Sequence, residues 1–69
     1  MTGSQGPIIF EFIAMGGSVK VSAIDPKTGT EVSIVGPARA ARHDLERTAA
    51  NKLRFVMEKA AREASRVTV

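Results

Sequence analysis

The chain of 69 residues contains no cysteine, which excludes disulfides and thiolate metal sites together. It has one histidine, His43, too few for a histidine-rich metal cage. No apolar run approaches the roughly 20 residues a helix needs to span a bilayer. The longest, from Ile8 to Met15, is interrupted by Glu11. Met1 to Pro7 carries no basic residue ahead of that run, so it does not read as a secretory signal. The expectation is a cytoplasmic protein with no membrane segment and no cofactor. At this length there is room for one domain, and burial barely offsets chain entropy. With disulfides and metals gone, regular packing and self-association remain as sources of stability.

The formal net charge of +3 is unevenly spread. Residues 1–36 place Lys20 and Lys27 against Glu11, Asp25 and Glu31. From Pro37 onward, eight Lys or Arg face only Asp44, Glu46, Glu58 and Glu63. The excess positive charge therefore lies in the C-terminal half, where it would attract polyanions, although interleaved acids dilute it.

The polar residues 1–7 read as a disordered lead-in, and residues 8–66 as a single domain. Three strand-like runs open that domain. Ile8–Met15 and Ser18–Asp25 flank Gly16-Gly17, the kind of pair a two-residue hairpin uses because its favoured turns need positive φ. That loop sets Ala14 opposite Val19, Phe12 opposite Val21 and Phe10 opposite Ala23. The third run, Thr30–Val35, follows Asp25-Pro26-Lys27-Thr28-Gly29, in which proline presets one φ and Gly29 supplies the left-handed position. Pairing Asp25 with Thr30 sets Ala23 against Val32 and Val21 against Ile34. Two turns read independently thus agree on one apolar surface: Phe10, Phe12, Ala14, Val19, Val21, Ala23, Val32 and Ile34. A slip of one residue in either hairpin would destroy the agreement.

Gly36-Pro37 reads as the end of the third strand. From about Ala41 the periodicity is helical: Leu45, Ala49, Leu53, Val56, Ala60 and Ala64 form one stripe, flanked by Met57. Asp44 near the start, and Arg62 and Arg66 near the end, suit the helix dipole. No residue from Ala38 to Ala41 offers a capping side chain; Val67-Thr68-Val69 is expected to fray. The fold class expected is α+β: a three-stranded antiparallel β-meander with one long C-terminal amphipathic helix on one face, β-β-β-α in two layers.

The second sheet face holds Ile9, Glu11, Ile13, Met15, Ser18, Lys20, Ser22, Ile24, Glu31, Ser33 and Val35, a mixed set where a solvated face should be mostly polar. The first strand is apolar on both sides, and such strands are normally covered on both. It is also an edge with open backbone groups. One reading is a homodimer built on this strand or face, with Ile9, Glu11, Ile13, Met15, Ile24 and Val35 at the contact. The other is an ordinary half-exposed face, since scattered surface apolar residues are common. Phe55 lies off the helical stripe; either it is an anchor for a partner protein, or it covers a lysine stem or sits on the flank of the sheet.

Arg47, Arg54 and Arg62 share the outer helix face and suit phosphate contact. Against that, Arg54–Glu58, Glu58–Arg62 and Lys59–Glu63 have the four-residue spacing of helix-stabilising ion pairs, and no nucleic-acid motif is present. For catalysis there is no nucleophile with a partnering base. His43 beside Asp44 reads as exposed, Gly16-Gly17 and Gly36 are accounted for by turns, and Glu11 and Glu31 show no acid/base pairing. An enzyme is not expected. A non-catalytic interaction module acting as a homodimer leads, a nucleic-acid-binding accessory protein follows, and a regulator of a larger partner remains as a third class.

The segment Gly17 to Pro37, GSVKVSAIDPKTGTEVSIVGP, resembles the centre of a family of very short uncharacterised bacterial proteins, chiefly alphaproteobacterial. The pieces V-K-V (from Val19), D-P-x-T-G-x-E-V (from Asp25) and I-V-G-P (from Ile34) occur together in order, and Asp44-Leu45-Glu46-Arg47 follows at the helix. The similarity runs from about Ile8 to Lys59. It implies a bacterial cytoplasmic origin and brings no catalytic or binding residue with it. Ala41 stands where the family pattern leads one to expect a hydroxyl-bearing helix cap.

Overall fold

Both hairpins close as their turn residues dictate, and the rest of the architecture follows. The computed structural model describes residues 7–67. It runs β1 (Ile9–Met15), β2 (Ser18–Asp25), β3 (Thr30–Pro37) and α1 (Arg42–Val67). The strands form one antiparallel sheet in the order β1-β2-β3. Of the lead-in expected over residues 1–7, the first six lie outside the described residues, as do Thr68 and Val69 of the three residues expected to fray; α1 runs to Val67.

Gly16 takes φ +63° while Gly17 does not, the pattern of a type II′ turn, and Met15 meets Ser18 across it. In the second turn Gly29 takes φ +76° and its N–H donates to the Asp25 carbonyl at 2.8 Å. The Asp25 carboxylate is buried there and accepts from Thr28 Oγ1 at 2.9 Å. The register is the expected one at every anchor, including Phe12 on Val21 and Val21 on Ile34.

The core is formed where β2 and β3 meet the first half of α1. Val21, Ala23 and Val32 from the sheet pack with Leu45, Ala49 and Leu53 from the helix. Each large apolar side chain buried there is worth about 1.5–3 kcal/mol. Ala49, fully buried, lets the helix backbone come close to the sheet. Phe10, Phe12, Val19 and Ile34 are only partly buried around this centre.

Four expectations are corrected. Ile8 precedes β1 rather than belonging to it, although it still packs against the core. β3 does not stop at Val35: Gly36 pairs with Val19 and Pro37 with Ser18. Proline is tolerated because β3 is an edge, where a missing donor costs no ladder bond. Gly36 is therefore a strand residue, not a turn residue, and a Cβ on it would lie 2.6 Å from Leu45 Cδ2. Ala60 and Ala64 are exposed, as is every described side chain from Glu58 onward. With 26 residues, α1 is about 39 Å long, against about 26 Å for the eight-residue strands. The helix outruns the sheet.

Candidate functional site: the uncovered face and edge of the sheet

The register sorts the sheet's outer face into cross-strand rows: Ile9–Ile24–Glu31, Glu11–Ser22–Ser33, Ile13–Lys20–Val35 and Met15–Ser18–Pro37. The rows alternate in character. In the second, Ser22 Oγ and Ser33 Oγ are hydrogen-bonded at 3.0 Å, and Ser22 is hemmed in by its neighbours to 3 % exposure. The apolar members stand on either side of it. Ile9 (47 %), Ile13 (50 %), Met15 (44 %) and Val35 (63 %) are among the most exposed large apolar side chains of the chain. Ile24 is half-buried and Glu11 exposed. Since α1 packs on the opposite face, the structure gathers six of the seven residues expected to self-associate onto one surface. Phe55, 60 % exposed, is on the helix and is not brought to them.

The ladder also shows which backbone groups β1 leaves open. Ala38 N–H donates to the Gly17 carbonyl at 2.9 Å, just beyond the ends of β3 and β2. Bonded pairs alternate along an antiparallel ladder, so odd-numbered residues of β2 bond to β3. Even-numbered ones, from Ser18 to Ile24, then bond to β1 through Met15, Ile13, Glu11 and Ile9. The peptide groups of Phe10, Phe12 and Ala14 remain, pointing out along the free edge.

The two edges of the sheet are treated differently. On β3 the outward residues are Glu31, Ser33, Val35 and Pro37. Pro37 has no donor, and Lys52 reaches from α1 to donate Nζ–H to the Ser33 carbonyl at 2.8 Å. Lysine and proline are standard blockers of strand edges. On β1, among the described residues, no side chain bonds an outward peptide group. α1 lies over β2 and β3, so the inner side of β1 is thinly covered as well. Ala14, expected to face the helix, is exposed because the helix does not reach so far across. A groove of about 240 Å³ opens there, lined by Phe12, Ala14, Val19 and Leu45 among others. Arg42 closes part of it, its guanidinium carbon 4.2 Å from the Phe12 ring centroid.

Arg47, Arg54 and Arg62 are all exposed on α1. The expected ion pairs among Arg54, Glu58, Lys59, Arg62 and Glu63 do not form within 4 Å. Among the described residues the pairs at that distance are Arg42–Glu46 (3.7 Å) and His43–Asp44 (3.4 Å). Arg54 instead donates to Asn51 Oδ1 at 3.0 Å, since long exposed side chains gain little by holding an ion-pair geometry. His43 lies largely in solvent at the start of α1.

A family model described as a domain of unknown function (DUF6898) matches residues 5–60. The chain belongs to this family. The family match takes in all three strands and α1 as far as Ala60, and so covers the packed part of the fold. Its span agrees with the resemblance to an uncharacterised family, which runs from about Ile8 to Lys59. No curated protein and no solved structure matches the chain. No described helix is long and apolar enough to cross a membrane.

Sequence reasoning missed Lys52 as an edge blocker and Arg42 as cover for Phe12. For Lys52 the available sign was its place next to the buried Leu53, on the flank of the stripe, where a long side chain can reach around the sheet. For Arg42 there was none, because its contact depends on where the chain turns after Pro37.

Proposed function

We propose that this protein is a non-catalytic interaction module that works as a homodimer through its first strand or the outer face of its sheet. The observation that carries this is the exposure of β1: among the described residues its outward peptide groups are unbonded, and Ile9, Ile13 and Met15 stand with Val35 on a face that no other described element covers. A strand apolar on both faces is stable when both are covered, and a domain this small gains from a partner. The reading is non-catalytic because the one histidine stands largely in solvent beside Asp44, and the sequence offers no nucleophile with a partnering base at recognisable spacing. Size-exclusion chromatography with light scattering at micromolar concentration tests it. The expected mass is twice 7.3 kDa, and a cooperatively melting monomer overturns the proposal. In a dimer packed face to face, Ile13→Lys should yield a folded monomer, because it puts a charge into the apolar contact and leaves the core between β2, β3 and α1 untouched.

A second reading, contact with a polyanion through Arg47, Arg54 and Arg62, is favoured by one observation: among the described residues none of the three is engaged by an acid within 4 Å. Binding of a nucleic acid would then fall steeply with salt as counterions are released. Retained affinity after reversing all three to glutamate rules it out.

A further inference from the structure

We infer that the homodimer forms by antiparallel pairing of β1 with β1 of a second copy, centred on Phe12, to make one continuous six-stranded sheet. The inference rests on the homodimer reading above and says how that dimer is built.

Three observations point to this edge. The β3 edge is blocked by Lys52 and Pro37, while among the described residues nothing blocks β1. The open peptide groups on β1 belong to alternate residues, Phe10, Phe12 and Ala14, the spacing another strand needs. The inner side of β1 is left partly bare by α1, so the strand lacks a neighbour beside it as well as above it.

The occupant is a second copy because the strand complements itself in one register. Open groups must meet open groups, so even residues pair with even residues. Centring on Glu11 sets that carboxylate directly against its twin, a like-charge pair that destabilises a sheet, and aligns only part of β1. Centring on Ile13 also leaves the strand ends unpaired. Centring on Phe12 pairs the whole strand: Phe12 with Phe12, Phe10 with Ala14, Glu11 with Ile13, Ile9 with Met15. In that register the large ring of Phe10 lies beside the small side chain of Ala14 of the other copy, on the same sheet face. The groove between Ala14, Phe12 and Leu45 opens at that point. The two-fold axis stands perpendicular to the sheet, so the contact is isologous and closes at two copies.

Amide hydrogen exchange of the full chain, read residue by residue by NMR, tests the pairing. In a monomer the N–H groups of Phe10, Phe12 and Ala14 face water and exchange freely. In the proposed dimer they should exchange about tenfold more slowly or better than those of Glu31 and Val35 on the other edge. Ala14→Pro removes one open donor without touching the β1–β2 ladder and should give a folded monomer, whereas Val35→Lys should leave the dimer intact. A dimer with unprotected Phe10, Phe12 and Ala14 amides, sensitive to Val35→Lys, overturns edge pairing and keeps the homodimer as a face-packed one. A wild-type monomer overturns both, leaving the edge to a strand from a different protein.

Discussion

Lys52 Nζ lies 2.8 Å from the Ser33 carbonyl oxygen, so a helix residue closes the one carbonyl at the middle of the β3 edge. The bond is exposed and contributes little to stability; its effect is on what can add to the sheet. If β1 edges pair in the dimer, the β3 edges are the remaining open sides, and each can take another strand. Lys52→Met keeps the apolar stem and removes both the charge and the donor. We expect stability to change by no more than about 0.5 kcal/mol, while assemblies larger than the dimer grow with concentration in light scattering. A variant that sediments like the wild type at millimolar concentration refutes this role for Lys52.

At the start of α1, Ala41 occupies the N-cap. Its carbonyl accepts from Asp44 N–H at 3.1 Å and Leu45 N–H at 3.2 Å, but it has no side-chain oxygen for the open amides of the first turn. Ala41→Ser supplies one, and Ala41→Asp adds a charge that suits the helix dipole. Either should stabilise the fold by about 0.5–2 kcal/mol, a rise in Tm of about 4–8 °C per kcal/mol for a domain of this size. Thermal unfolding followed by circular dichroism measures it. An unchanged or lower Tm means that residues 38–41 hold the helix start by other means.

The parts of the fold read correctly in advance are those settled by local chemistry. Gly16 and Gly29 supply the two positive φ values, and once those turns close, alternation alone assigns Val21, Ala23 and Val32 to the core. What stayed hidden depends on distances between elements. Ala60 and Ala64 obey the same periodicity as Leu53, but periodicity carries no information on where the sheet ends. Ala14 obeys the strand alternation, yet its burial depends on how far α1 reaches sideways. The outer face was legible as a set of residues, whereas the contrast between the two edges was not, because Lys52 and Ser33 are brought together only by the crossing of α1 over β3. Gly36 reads as a turn residue because Pro37 beside it cannot donate to a ladder and so marks a strand end; its actual constraint is set by Leu45.

That constraint is the most direct test of how the layers fit. Leu45 Cδ2 occupies the space a Cβ on Gly36 would fill, at 2.6 Å, and Leu45 is itself buried in the core. Real Cβ atoms do not approach so closely, so Gly36→Ala must shift the leucine or lift the helix start away from β3. Overpacking of this kind costs about 1–3 kcal/mol. Shortening the neighbour should reverse part of it. Leu45→Val alone removes packing and destabilises, but in the Gly36→Ala background the two changes share one space, and their costs should fall short of additive by about 0.5 kcal/mol or more. Denaturant unfolding of the two single variants and the double variant supplies the cycle. Strict additivity would mean that β3 and α1 adjust independently, and that glycine is at position 36 for some reason other than the approach of Leu45.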